Sequence, residues 1–304
     1  MGNRLILFIL PAFILACSTQ PESATKKPVI VTTTGMIADA VMNIVDTTAD
    51  VQALMGPGVD PHLYKATQGD LKKLTTADLI VYNGLHLEGK MGEIFDKLGR
   101  QKPVRAVAAN IDSSRLFRVP QFNNNFDPHI WFDVALWSEA VQHTSLILQE
   151  QFPEQADFYE RNTRSYLSEL RELNTWVAAM IEQIPPQQRV LITAHDAFGY
   201  FGKAYNMEVK GLQGISTLSE YGLRDVADLV NFIIERKIKA VFVETSVSEK
   251  AINAVVEGAR EKGFDVTIGG NLYSDAMGAA GTPEGTYTGM VKANVNTIVN
   301  ALKP

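Results

Sequence analysis

Tyr166-Leu-Ser-Glu-Leu170-Arg-Glu-Leu173-Asn-Thr-Trp-Val177-Ala-Ala-Met180-Ile-Glu-Gln-Ile184 lies near the middle of a chain of 304 residues. Its apolar positions Tyr166, Leu170, Leu173, Val177, Met180 and Ile184 recur every three or four residues, which is the helical period. Glu169, Arg171 and Glu172 fill the intervening positions. Upstream, Pro153 suits a first helical turn, and Pro185-Pro186 removes two N–H donors and stops the helix. The pattern predicts one helix over 153–184. About 30 residues rising about 1.5 Å each make a rod of roughly 45 Å, long enough to cross a molecule of two lobes. The apolar stripe covers too few heptads to favour a coiled coil.

On both sides of this segment, apolar β-rich runs alternate with helical patterns. Val29–Thr34, Val51–Leu54, Leu79–Asn83 and Val104–Ala109 read as strands before it. Arg189–Ala194, Ala240–Thr245 and Val266–Gly269 read as strands after it. Continuous apolar strands with helices between them imply parallel sheets covered on both faces. The fold class is therefore α/β, and the matching style of the two halves suggests two related lobes. With 46% hydrophobic and 20% charged residues the chain has globular composition. Its net charge of −6 argues against nucleic acid as a partner. A lone cysteine excludes an internal disulfide framework and a thiolate zinc cluster, so any metal must be held by His, Asp and Glu.

Arg4 is followed by Leu5–Ala16, an almost wholly apolar run that is too short for a membrane span of about 20 residues. A positive start, a short apolar stretch and a small residue at its end read as a secretory signal over 1–16. The run ends Ile14-Leu15-Ala16-Cys17, which resembles a bacterial lipobox and makes Cys17 the expected lipid anchor. Residues 17–27 read as a polar tether.

Four stretches carry the candidate chemistry: Gly58-Val-Asp-Pro-His62-Leu-Tyr-Lys, Phe126-Asp-Pro-His129-Ile-Trp-Phe-Asp133, Thr193-Ala-His195-Asp-Ala-Phe and Gly269-Gly-Asn-Leu-Tyr-Ser-Asp275. Two histidines share the frame Asp-Pro-His. Proline fixes φ and extends the residue before it, so each imidazole sits on stiff, non-helical backbone. The last two stretches follow strands, where open parallel sheets form ligand crevices. Three imidazoles and one carboxylate suffice for a first-row divalent cation, with neutral His suiting zinc and the carboxylate broadening the set towards manganese. Asp196 and Glu244 are candidates to orient an imidazole from behind. His143 reads as structural or exposed, and His86 as a loop residue ahead of a spare ligand.

The stretches GVDPHLYKAT, NGLHLEGKMGEIF, FDPHIWFDV, LITAHDAFGYF, VKGLQGISTLSE and GGNLYSDAMG resemble those of the periplasmic-type metal receptors of zinc and manganese ABC importers, closest to the TroA-like branch (cluster A-I, or cluster 9). The resemblance runs from about Val29 to the C-terminus. It implies two α/β lobes, 28–152 and 185–304, joined by one long backbone helix over 153–184. It implies a metal held between the lobes by His62, His129, His195 and Asp275, with Zn²⁺ or Mn²⁺ as transported cargo. It also implies docking on a membrane permease that works with a cytoplasmic ATPase. His195 stands where some manganese-dedicated relatives carry Glu, which tilts the reading towards zinc. The His- and acid-rich loop of many zinc-dedicated relatives is absent from Arg115–Asn125.

The expectation is a monomeric, lipid-anchored, extracytoplasmic receptor without covalent chemistry. Two readings compete with it. One is a secreted zinc-dependent hydrolase; the other is a surface adhesin lipoprotein with a bound metal. Four protein ligands tend to close a zinc site to water, and the chain has no H-E-x-x-H helix, G-x-S-x-G elbow or P-loop.

Overall fold

A computed structural model describes residues 26–303. The signal over 1–16, Cys17 and most of the tether lie outside the described residues. The first lobe opens with β1 (Val29–Thr32), α1 (Gly35–Val45), β2 (Asp50–Ala53), α2 (Gln68–Thr76), β3 (Leu79–Tyr82), α3 (Gly92–Gly99) and β4 (Val104–Ala106). These strands form a parallel sheet in the order β2-β1-β3-β4. A small antiparallel hairpin, β5 (Arg118–Val119) and β6 (Asn125–Phe126), leads to α4 (Val134–Gln151). The long helix follows as α5 (Ala156–Ile181), after a single 3₁₀ turn at Pro153–Gln155.

The second lobe contains β7 (Val190–His195), α6 (Gly199–Tyr205), β8 (Glu208–Gln213), α7 (Leu223–Arg236), β9 (Ala240–Glu244), α8 (Lys250–Glu261), β10 (Thr267–Leu272) and α9 (Tyr287–Leu302). β7 pairs with β8 and β9 with β10, both in parallel, and β7 lies against β9. The strands therefore lie in the order β8-β7-β9-β10, as two hydrogen-bonded pairs side by side, which parallels the order of the first lobe. This is the topological content of the similarity in style between the two halves of the sequence.

Both faces of each sheet are buried, as continuous apolar strands require. In the first lobe Ile30, Leu79 and Val81 face one cluster while Val31 and Ile80 face another. In the second lobe Leu191, Ala240 and Phe242 face the first of these clusters, and Val190, Ile192, Val241 and Val243 face a third. One cluster thus runs through both lobes. α5 is its spine: it packs on α1 and α4 of the first lobe and on α6 and α9 of the second. Its buried stripe is Tyr159, Thr163, Tyr166, Leu170, Leu173, Val177 and Ile181.

Two expectations need correction, and one strand escapes the sequence reading. Val104–Ala109 is a strand only to Ala106, because Val107–Asn110 closes into a 3₁₀ turn. Ile181 joins the buried stripe between Val177 and Ile184, while Met180 is only partly buried and packs against the edge of the core. β8 was not expected at all, since its partly exposed residues include Glu208 and Lys210 and mask the strand signal. No helix among the described residues is long and apolar enough to cross a membrane.

Candidate metal centre

Each of the four candidate side chains is delivered from the end of a strand or from the segment that follows one. His62 lies in the loop between β2 and α2, starting at a turn whose Asp60 Oδ1 accepts from the His62 backbone N–H at 2.8 Å. His129 stands in the same local frame, with Asp127 Oδ1 accepting from its backbone N–H at 2.9 Å. A short 3₁₀ turn, Ile130–Phe132, then leads to Asp133, which caps α4 by accepting from Ala135 N and Leu136 N. His195 is the last residue of β7, and Asp275 follows β10 by three positions. The repeated Asp-Pro-His is therefore a repeated side-chain-to-backbone turn, with Asp as the acceptor two residues before His.

The four side chains meet. His62, His129, His195 and Asp275 each offer one atom, all within 4.8 Å of one another, and all four residues are buried. His62 Nε2 lies 3.3 Å from His129 Nε2. Asp275 Oδ1 lies 3.4 Å from His129 Nε2, and Asp275 Oδ2 lies 3.3 Å from His195 Nε2 and 3.9 Å from His62 Nε2. A tetrahedron with bonds of about 2.1 Å has edges of about 3.4 Å, so the spacing suits a first-row cation at the centre. His195 Nε2 and both Asp275 oxygens have no hydrogen-bond partner. Burying such groups without a partner costs free energy, and a cation coordinated there offsets that cost.

Carboxylates stand behind two of the rings. His129 Nδ1–H donates to Asp127 Oδ1 at 2.7 Å, and His195 Nδ1–H donates to Glu244 Oε2 at 2.5 Å. Glu244 Oε1 also accepts from the His195 backbone N–H at 2.8 Å. These contacts fix the tautomer so that Nε2 faces the centre. No second carboxylate lies within ion-pair reach of His62 among the described residues.

The protonation pattern follows from these surroundings. Burial opposes charge on His129, but Asp127 and Asp275 override it and raise its pKa to about 9. Burial likewise opposes charge on His195, and Glu244 with Asp275 holds it well above the ordinary range. Burial prevails at His62, whose pKa falls to about 3. Burial works against ionisation of Asp275, yet the imidazoles of His195, His129 and His62 hold it well below the usual carboxylate range.

The two orienting candidates part company. Glu244 ends β9 beside the end of β7 and holds His195. Asp196 sits in the bend just after β7 and makes no hydrogen bond to any of the three rings. It lines a shallow depression with Lys210, Asp225 and Phe232 instead. The place of the second orienting carboxylate belongs to Asp127, which was not singled out from the sequence although it stands inside the Asp-Pro-His frame. His86 is exposed on a turn with positive φ, and half-buried His143 lies on α4; neither joins the cluster.

The match to known proteins is continuous over this fold. Residues 30–301 fit the family model described as zinc-uptake complex component A, periplasmic (ZnuA). The chain belongs to the ZnuA family. It is 53% identical over 292 residues to the manganese-binding lipoprotein MntA of Bacillus subtilis, covering 95% of each chain. It is 48% identical over 298 residues to the zinc-binding protein TroA of Treponema pallidum, covering 98% of this chain and 96% of TroA. The solved structure of the periplasmic zinc-binding protein TroA superposes with a TM-score of 0.89 at 49% identity, covering 91% of this chain and 100% of that one. Two lobes with parallel sheets and covering helices are thus the architecture of this ZnuA-family chain and of its structural neighbours. Further relatives are named as substrate-binding lipoproteins of metal or manganese ABC transporters.

Proposed function

We propose that this chain captures a divalent transition-metal ion, zinc or manganese, on His62, His129, His195 and Asp275, and passes it to the permease of an ABC importer driven by a cytoplasmic ATPase. The observation that carries the reading is the buried three-imidazole, one-carboxylate cluster, with orphaned atoms turned inward at tetrahedral spacing. Asp127 and Glu244 orient His129 and His195. Four protein ligands leave no open position for a reacting water, so the site holds and releases its cargo without covalent chemistry.

The names of the two relatives divide between manganese and zinc. Three nitrogen donors lean towards zinc, and both oxygens of Asp275 face the ring nitrogens, which also suits a manganese ion. Zinc exceeds manganese in affinity at most such sites, so tighter zinc binding in vitro does not identify the physiological cargo. The test is elemental analysis of protein purified without added metal, followed by titration with each ion. The expected result is about one zinc or manganese ion per chain. A protein that takes up neither overturns the reading.

The finer organisation belongs to the same reading: lobes 28–152 and 185–304, a linking helix over 153–184, and a monomer tethered outside the cytoplasm through Cys17. Labelled fatty acid is expected to enter the wild type and not Cys17→Ser, and the variant is expected to become soluble. Membrane retention of the Ser variant without label counts against the anchor.

A further inference from the structure

The four candidate ligands are at most 1% exposed, so a segment has to move before an ion can reach them. His62 and His129 come from the first lobe, and His195 and Asp275 from the second. The two first-lobe histidines are tied to the second lobe very differently.

The His129 segment is bolted across. Tyr200 Oη donates to the Asp127 carbonyl at 3.0 Å and accepts from Phe117 N–H at 3.2 Å. Trp131 Nε1 donates to the Ser274 carbonyl at 3.0 Å, and Tyr287 Oη donates to the Trp131 carbonyl at 2.7 Å. Phe132 stacks on Phe198 with ring centroids 4.1 Å apart. Residues 127–132 are all buried.

The His62 segment is held by far less. Among the described residues one side-chain hydrogen bond joins it to the second lobe: Thr217 Oγ1 donates to Asp60 Oδ2 at 2.6 Å. The other oxygen of the same carboxylate receives the His62 backbone N–H. His62 also lacks the carboxylate that braces each of the other two rings. Gly58 and Leu63 on either side of His62 are exposed, as are Gly214 and Leu218 on either side of Thr217.

We propose that the ion enters and leaves between the His62 segment and the segment 214–222, and that the Thr217–Asp60 hydrogen bond is the latch that positions His62 and sets the rate of passage. The inference rests on the four-ligand reading above. Asp60 and Thr217 are positioning residues; neither touches the ion. Breaking their bond frees the one imidazole without a carboxylate behind it, while those of His129 and His195 stay braced.

The experiment loads the full chain with Zn²⁺ and follows release to excess chelator by stopped flow. Thr217→Val keeps the shape and removes the hydroxyl, and Thr217→Ser keeps the hydroxyl. Tyr205→Phe is the control, since it removes a hydroxyl that joins α6 to Asn174 of α5 at 2.7 Å. A hydrogen bond to a charged acceptor is worth about 10-fold or more in such a rate. Release is expected to be about 10-fold faster in Thr217→Val and within about twofold of wild type in Thr217→Ser. Tyr205→Phe is expected to lower the melting temperature without speeding release. The latch is overturned if Thr217→Val releases at the wild-type rate, if Thr217→Ser is as fast as Thr217→Val, or if Tyr205→Phe accelerates release equally. A wild type that binds no zinc would instead overturn the ligand reading itself.

Discussion

Asp-Pro-His occurs twice in this chain, and its aspartate does two different things. In both copies it accepts the histidine backbone N–H. Only Asp127 also takes the ring Nδ1–H, while Asp60 spends its other oxygen on Thr217. The proton balance of the metal-free protein follows. Near neutrality His129, with its pKa at about 9, and His195, well above the ordinary value, carry protons, whereas His62, at about 3, does not. An incoming ion must displace about two protons at pH 7, and none from His62. Log affinity should therefore rise with pH at a slope near two and begin to flatten at about pH 9, where His129 gives up its proton unaided. The stability sign is opposite for the metal-free protein. The raised His129 stabilises it fully below the unfolded value of about 6.5, and that contribution is lost as pH rises through about 9. Calorimetry in buffers of different ionisation enthalpy checks the proton count. Release of fewer than one proton at pH 7 would contradict the assignment, and Asp127→Asn should bring the count down. Substituting any one of His62, His129, His195 or Asp275 by Ala should weaken metal binding at least about 10-fold, since even loss of a group that only orients a ligand commonly costs that much. His143→Ala should bind as the wild type does. Equal damage from His143→Ala and His195→Ala, measured by competition with a chelating dye, would show the wrong ligand set.

Elements were legible in the sequence where burial was two-sided. Leu79-Ile-Val and Ala240-Val-Phe-Val are apolar at every position because both faces of their sheets are covered. The long helix was legible because Tyr166, Leu170, Leu173 and Val177 keep the helical period, and two prolines follow its end. β8 was not legible, because a sheet-edge strand exposes Glu208 and keeps Lys210 only half-buried. The centre shows a similar division. A histidine in a proline frame or at a strand end is visible in one dimension, but Asp127 meets the His129 ring only after the turn has formed. Thr217 lies 157 residues from Asp60, and no local pattern announces that pair. β8 also makes a sharp prediction. A Cβ on Gly211 would lie 2.3 Å from Asp196 N and 2.6 Å from the His195 carbonyl carbon, both backbone atoms that cannot swing aside. Gly211→Ala should therefore destabilise the chain by about 2 kcal/mol or more and displace the end of β7 that carries His195. Thermal melting and metal affinity should fall together. A variant with wild-type values in both would mean that β8 does not press on β7 in solution.

At the scale of the whole molecule, the two lobes share a core. Ile30 and Leu79 of the first lobe and Leu191 and Phe242 of the second belong to one cluster together with Leu170, Leu173 and Val177 of α5. A shared core couples the lobes energetically, so neither should unfold while the other remains intact. Heating the metal-free protein should give one transition by calorimetry, with the calorimetric and van't Hoff enthalpies in agreement. Leu170→Ala removes a fully buried side chain from the spine, at a cost of about 2–5 kcal/mol, and should move that single transition down without splitting it. Metal should move it up, because an ion bound only by the folded state stabilises by mass action. Free ion at about 100 times its dissociation constant adds about 2.7 kcal/mol. At roughly 2–4 °C per kcal/mol for chains approaching this size, the expected gain is about 5–10 °C. The gain should survive in Leu170→Ala, whose ligands are intact, and shrink in Asp275→Ala, whose core is intact. Two resolved transitions in the metal-free wild type, one of them insensitive to Leu170→Ala, would mean that the lobes fold separately and that α5 joins them without coupling them.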